Sequence, residues 1–312
     1  MKLAERVRSG DKLALARLLT LIENNSQEGQ EALSELHAST GAAHRIGVTG
    51  APGTGKSVLV NRLTLHLRAQ NNAPLVAIVA VDPTSPFTGG AILGDRIRMR
   101  DLSGDSGIFI RSMANRGALG GLSATTSSVV DALDAAGFHK ILIETVGTGQ
   151  AEVDVAGAAH TVLVLEAPGL GDAVQALKAG LLEIADILIV NKSDLPGAEN
   201  TARALRAALE LGSAPTEWIT PLLLTSAEKG DGIPELATRI EEHWEHLQDT
   251  GGREQRDRAR VAREMERLLR YRLINRFREA HPDGAFDRAV ERVIERELSP
   301  MQAIEELLRD AA

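Results

Sequence analysis

Eight consecutive residues, Gly50-Ala51-Pro52-Gly53-Thr54-Gly55-Lys56-Ser57, narrow the folds open to this chain more than any other feature. Their spacing, G-x-x-x-x-G-K-[ST], is that of a loop that wraps phosphate oxygens. The glycines let the backbone curl so that successive N–H groups point inward. Lys56 is placed to reach the β- and γ-phosphates, and the Ser57 hydroxyl to ligate Mg²⁺. The flanks agree with this reading. Arg45 to Thr49 is a short apolar run like a buried strand, and Val58 to Arg68 carries Leu59, Leu63 and Leu67 at helical spacing. Strand, loop and helix is the order such a loop requires, because the helix N-terminus faces the anion. Gly53, Thr54, Gly55, Lys56, Ser57 and Val58 form the expected phosphate-binding set. A chance glycine-rich turn would not bring all of this context with it.

The base is read elsewhere. Asn191-Lys192-Ser193-Asp194 follows the apolar run Ala185 to Val190, which reads as a buried parallel strand. The Asp194 carboxylate only accepts, and guanine offers N1–H and N2–H₂ as adjacent donors. Adenine would face it with a lone pair. Asn191 is suited to brace the loop, and the Lys192 stem to cover the base. Thr225-Ser226-Ala227, after Leu222 to Leu224, supplies a second base-side loop. Ser226 and Ala227 are its candidate contacts, with a backbone N–H near Ala227 aimed at guanine O6.

Between residues 45 and 247 apolar runs alternate with helical patterns: Leu75–Val81, Ile108–Ile110, Lys140–Ile143, Thr161–Leu165, Ile187–Val190 and Leu222–Thr225. Such alternation predicts an α/β fold with a mostly parallel, doubly wound sheet and right-handed crossovers. Ligands of such sheets bind at the carboxyl ends of the strands, where each motif here falls. Residues 1–42 read as helical, with Leu13, Leu15, Leu18, Leu19 and Ile22 on one stripe and Ala32, Leu33 and Leu36 on another. The nucleotide domain is expected over 43–250. Gly251-Gly252 then opens an Arg/Glu-rich helical arm over 251–312, broken at Pro282-Asp283-Gly284. Its stripes, Val261, Met265, Leu268 and Leu269, then Phe286, Val290, Val293 and Ile294, then Ile304, Leu307 and Leu308, need a cover. Packing on a second subunit would supply it.

Composition removes other classes. A net charge of −8 opposes a nucleic-acid or anionic-membrane surface. Aromatic residues make up 3%, too few for stacking platforms along a single strand. Cysteine is absent, which excludes a disulfide framework, thiolate metal ligands and a cysteine nucleophile. No apolar run approaches membrane-spanning length, and the first residues lack an apolar signal core, so a cytoplasmic protein is expected. His243 and His246 share a helix face, and without further ligands they read as solvated surface.

Acidic residues complete the expected metal site. Asp82 ends the run Leu75–Val81 and is placed to hold Mg²⁺ directly or through water. The Pro- and Gly-rich segment after it leads to Asp95, which opens an Arg-rich helix. Glu144-Thr145-Val146-Gly147 ends the run Lys140–Ile143, where many GTPases carry D-x-x-G. Gly147 is placed to bond the γ-phosphate through its N–H. Glu144, one methylene longer than Asp, is placed to reach toward the attacking water. Lys56, Glu144 and Gly147 are thus the candidate catalytic residues, and Ser57, Asp82, Asp95 and Glu144 the candidate metal set. No water-orienting Gln stands in an expected place, so slow intrinsic hydrolysis is expected.

Taken with Ser112 to Gly121, with Glu144-Thr145-Val146-Gly147-Thr148-Gly149-Gln150 and with Gly89 to Asp95, these motifs resemble the MeaB/ArgK family of GTPases over about residues 10 to 300. The resemblance implies a G-protein chaperone of adenosylcobalamin-dependent acyl-CoA mutases, of the methylmalonyl-CoA mutase type. Such proteins gate cofactor loading and protect the mutase, and they form homodimers through the C-terminal helices. It also implies that Pro168 to Lys178 is an additional switch, with Asp172 and Lys178 coupling the nucleotide to the mutase. A metal-delivery GTPase of related fold and a transport-linked protein kinase are the alternatives.

Overall fold

Runs of alternating Val, Ile, Leu and Ala make strands that bury both faces, and a sheet of such strands needs helices on both sides. The computed structural model describes residues 2–83, 99–102, 104–115, 124–145, 151–169, 180–212, 217–280 and 284–309. Among the described residues there are seven strands: β1 (His44–Gly50), β2 (Val76–Pro83), β3 (Ile108–Asn115), β4 (Lys140–Thr145), β5 (Thr161–Glu166), β6 (Ile187–Val190) and β7 (Leu222–Leu224). All pair in parallel, in the order β3-β2-β4-β1-β5-β6-β7. β1 is therefore central, with β4 on one side and β5 on the other.

The period of two sorts the core. Ile46, Val48, Ile78, Leu142, Leu163, Leu165, Ile187 and Ile189 face one layer, made by α4 (Lys56–Arg68) and α9 (Ile233–Asp249). Ala77, Val79, Ile141, Ile143, Val162, Val164, Leu188 and Val190 face the other. That second layer contains α5 (Ala124–Ala135), α6 (Ala151–Ala158) and α8 (Ala198–Gly212). It also contains the N-terminal helices α1 (Leu3–Arg8), α2 (Lys12–Glu23) and α3 (Gln27–Leu36), whose Val7, Leu15, Leu18, Leu19, Ile22 and Leu36 join the sheet's own cluster. Leu13 departs from its expected stripe. It is 80% exposed, because it lies two residues, about 200° around the helix, from Leu15. A four-residue helix, α7 (Leu181–Ile184), precedes β6. Among the described residues no helix is long and apolar enough to cross a membrane.

At the amino ends of the strands lies a buried polar chain. Lys140 Nζ pairs with Glu241 at 2.6 Å and donates to His44 Nδ1 at 3.2 Å. An ammonium only donates, so His44 carries its proton on Nε2 and gives it to Thr161 Oγ1 at 2.7 Å. The Thr161 hydroxyl then donates to His243 Nδ1 at 2.8 Å. His243 Nε2 in turn faces Asp186 Oδ1 at 3.3 Å. Arg256 grips both Asp186 oxygens at 2.8 Å, and the Val162 N–H donates to one of them at 2.8 Å. Burial alone would raise the Asp186 pKa, but the Arg256 and His243 bonds outweigh it and bring it down to about 2. His243 is thus 1% exposed and part of the core, contrary to the surface role expected from its sequence neighbours. Its partners, Thr161 at the start of β5 and Asp186 just before β6, are far away in sequence, beyond the reach of a local reading.

This chain makes a pH prediction. Burial first, then the Lys140 charge, holds the His44 pKa well below its usual value, with His160, His243 and Arg253 adding to the effect. The unfolded chain therefore binds this proton more readily than the folded one. Stability should fall as pH drops below about 6.5, the ordinary histidine value. Asp186 acts in a separate window, since its contribution is lost only below the ordinary aspartate range. Both tryptophans, Trp218 and Trp244, ring the cluster, so intrinsic fluorescence reports it directly. Urea unfolding followed by fluorescence should give a lower midpoint at pH 5.5 than at pH 7.5, with a smaller difference in His44→Gln. Equal pH dependence in the two proteins would contradict the assignment.

The described residues divide into two compact units, Met1–Asp257 and Arg258–Ala312. The long helix α10 (Gly252–Ala280) begins in the first, where Arg253 lies over Trp244 at 5.1 Å, and runs into the second. The second unit also holds α11 (Ala285–Ile294) and α12 (Pro300–Arg309). Its own core is small: Ala289, Ala303 and Leu307, with Phe277, Ala285, Val293 and Leu298 against them. Val261, Met265, Leu268, Leu269, Phe286, Val290, Ile294, Ile304 and Leu308 remain exposed.

Candidate nucleotide site

β1 ends at Gly50 with φ 137°, a conformation that favours glycine. A Cβ there would stand 2.1 Å from the Leu165 carbonyl oxygen of β5, so a side chain is excluded by backbone. Gly53 and Gly55 also take positive φ, 83° and 93°, and Gly55 caps the start of α4. The helix is held by Leu59, Val60, Leu63 and Leu67, all buried, which fixes where its first-turn N–H groups point. Lys56 curls back over the loop, donating from Nζ to the carbonyls of Gly50 at 2.7 Å and Ala51 at 3.0 Å. Thr54 is buried, its hydroxyl bonded to the Ala51 carbonyl at 2.9 Å. Val58 lies in the first turn with its side chain partly exposed.

β4 brings the acid. Val48 and Glu144 are register partners across β1 and β4, so the carboxylate rises beside the phosphate loop. Ser57 Oγ donates to Glu144 Oε1 at 2.6 Å, and Glu144 is 4% exposed. A hydroxyl and a carboxylate held together at a helix N-terminus are hard oxygen donors of the kind Mg²⁺ takes. The Asp82 backbone belongs to β2, one register step beyond the Val81–Thr145 pair. The Asp82 side chain lies outside the described residues, as do Asp95, Gly147, Asp172 and Lys178.

β6 and β7 bring the base-side loops. Asn191 follows β6, its N–H donating to the Glu166 carbonyl at 2.8 Å. Its side chain makes three bonds: Nδ2 donates to the Thr54 carbonyl at 2.8 Å, and Oδ1 accepts from Thr225 Oγ1 at 3.1 Å and the Ala227 N–H at 3.0 Å. A Cβ on Gly55 would stand 2.5 Å from Asn191 Nδ2, so the phosphate and base motifs touch. The Ala227 N–H, expected to face guanine O6, is thus also a donor to Asn191. Lys192 sits at φ 57°, left-handed backbone that non-glycine residues adopt mainly where surroundings enforce it. Asp194 Oδ1 accepts from Ser226 Oγ at 2.8 Å, and Oδ2 lies 3.3 Å from Lys229 Nζ. The Ser226 bond, foremost among several, holds the Asp194 carboxyl below its ordinary pKa. The carboxylate is therefore ionised and oriented before any donor meets it.

Lys229 and Arg62 were absent from the sequence-derived set, and Thr225 was placed in the base-side loop but not among its contacts. Arg62, on α4, donates from Nε to the Ala227 carbonyl at 3.2 Å and from Nη2 to the Glu228 carbonyl at 3.0 Å. Only the helical period hinted at it, since Arg62 lies off the buried Leu59–Leu63 stripe.

Residues 15–282 match the family described as methylmalonyl Co-A mutase-associated GTPase MeaB. A relative from Pyrococcus abyssi is 42% identical over 312 residues, covering 99% of this chain and 96% of its own. The GTPase ArgK of Escherichia coli K12 is 37% identical over 239 residues, 74% of this chain and 72% of its own. A Caenorhabditis elegans protein, the mitochondrial methylmalonic aciduria type A homolog, is 29% identical over 299 residues, 90% of this chain and 74% of its own. The crystal structure of a LAO/AO transport system kinase shares the fold, with a TM-score of 0.75 and 24% identity over 99% of this chain and 96% of that one. This chain therefore belongs to the MeaB family of P-loop GTPases.

Proposed function

We propose that this GTPase is a nucleotide-gated chaperone of an adenosylcobalamin-dependent acyl-CoA mutase, controlling cofactor loading and protecting or reactivating that enzyme. The observation that carries this reading is the family match over residues 15–282, which runs through the nucleotide site and across the whole of α10. Lys56 and the loop amides hold the β- and γ-phosphates, and Asp194 accepts the guanine donors while Asn191 and Ser226 hold the loops. Ser57, Asp82, Asp95 and Glu144 are the residues that would hold Mg²⁺, which when bound neutralises charge on the transferring phosphoryl group. Glu144 and Gly147 address the attacking water and the γ-phosphate. Asp172 and Lys178 then couple the state of the site to the mutase. Intrinsic hydrolysis is slow, and the mutase accelerates it.

The same reading makes the protein a homodimer through residues 251–312. A small core beneath three exposed apolar stripes supports this, because such surfaces are covered in stable proteins. Deleting residues 258–312 should convert a dimer to a monomer by light scattering while guanine-nucleotide binding persists. An unchanged mass would remove the arm from the subunit interface. The reading as a whole is tested by capture: the full-length protein, immobilised with GDP and then a GTP analogue, should retain a cobalamin-dependent mutase subunit from native extract in a nucleotide-dependent way. Retention of no mutase in either state would contradict it.

A further inference from the structure

Three hydrogen bonds and the helix α4 close a ring between the phosphate loop and the base-reading loop. The Thr54 carbonyl accepts from Asn191 Nδ2, and Asn191 Oδ1 accepts from the Ala227 N–H. The Ala227 carbonyl accepts from Arg62 Nε, and α4 returns from Arg62 to Lys56, beside its cap Gly55. Ala227 is thereby held at both ends of its residue, by Asn191 through the N–H and by Arg62 through the carbonyl. Arg62 holds the following carbonyl as well, that of Glu228. Its planar guanidinium presents donors in a fixed fork, so two successive carbonyls are fixed in direction as well as in distance. The segment so fixed carries Ser226, which orients the Asp194 carboxylate, and Lys229, which faces the same carboxylate.

We propose that Arg62 is a positioning residue for base recognition, tying the base-reading loop to the phosphate-loop helix and so setting how long, and how selectively, a guanine nucleotide is held. Arg62 touches neither the base nor the phosphates in this account. It acts through the carbonyls of Ala227 and Glu228, and through them on Ser226 and Asp194. A loop freed on that side still reaches the base, but it must be ordered each time a nucleotide binds. The cost falls on residence time and on discrimination, and the phosphate end of the site, with Lys56, Ser57 and Glu144, is left in place. The proposal rests on the guanine reading of Asn191 to Asp194.

The test uses the full-length protein and two variants, Arg62→Ala and Arg62→Lys, with fluorescent GDP, inosine diphosphate and ADP. Inosine diphosphate lacks the exocyclic amine that Asp194 would read. Arg62→Ala should release GDP about ten-fold faster, the loss of two charge-assisted bonds at an exposed position. Its preference for GDP over inosine diphosphate should shrink, and hydrolysis in a single turnover at saturating GTP should change less than about two-fold, a KM-type effect. Arg62→Lys, with one ammonium for two carbonyls, should fall between. Release and preference equal to wild type in Arg62→Ala would overturn the proposal. If Arg62→Ala does not fold, Arg62→Lys decides: intermediate values support positioning, and wild-type values overturn it. A wild-type protein that binds ADP as well as GDP would instead overturn the guanine reading beneath it.

Discussion

Replacing Lys56 with alanine should reduce GTP hydrolysis by about 10²–10³-fold, the usual loss when one donor to developing charge is removed. The side chain already arches over the phosphate loop, with Nζ on the Gly50 and Ala51 carbonyls. Alanine removes the one side-chain cation that the loop itself carries and leaves the glycine-built cradle intact, since Gly50 is shaped by Leu165 and Gly55 by Asn191. GTP binding should weaken as well, because the contact is charge-assisted in the ground state too. Phosphate release measured under saturating GTP decides the matter. Turnover like that of wild type would remove Lys56 from the catalytic set.

The second large effect is expected at the base. Asp194→Asn exchanges two acceptors for one acceptor and one donor. The Lys229 ammonium only donates and so favours an oxygen at the Oδ2 position, while the Ser226 hydroxyl can accept from an amide nitrogen at the Oδ1 position; in either orientation only one acceptor is left for the two donors of guanine. A site built to bond one edge discriminates strongly once that edge is mismatched, so GTP affinity should fall by at least about 100-fold. Xanthosine triphosphate, with a carbonyl at position 2, should gain relative to GTP. Competition binding with GTP, ATP and xanthosine triphosphate measures this. Equal affinity of wild type for ATP and GTP, or an unchanged order in the variant, would contradict the assignment.

The residues behind these two predictions were legible in sequence because their signals are local. Gly50 to Ser57 lie within eight residues, and Asn191 to Asp194 follow a strand whose apolar run is unmistakable. The strand alternation likewise foretold a sheet buried on both faces, and its parallel pairing followed. What sequence did not disclose was contact across long separations. His243 reads as a surface histidine on an amphipathic helix, yet it bonds Thr161 and faces Asp186 because α9 lies over the amino ends of β5 and β6. Arg256 reads as one charge among many at the start of an Arg-rich helix, yet it grips Asp186 with two nitrogens. Arg62 reads as the polar face of α4, and its role appears only once the loop after β7 is beside that helix. Leu13 shows the opposite error, where an apolar residue near a stripe was assigned to it although the helical period turns it outward.

The most direct test of the proposed role is the steady-state rate of GTP hydrolysis by the full-length protein, with and without an adenosylcobalamin-dependent acyl-CoA mutase from the same organism. The account predicts a slow rate alone and a rate at least about ten-fold higher with saturating mutase, a coupling within the usual range for linked sites. A rate unchanged by every such mutase of that organism would contradict it.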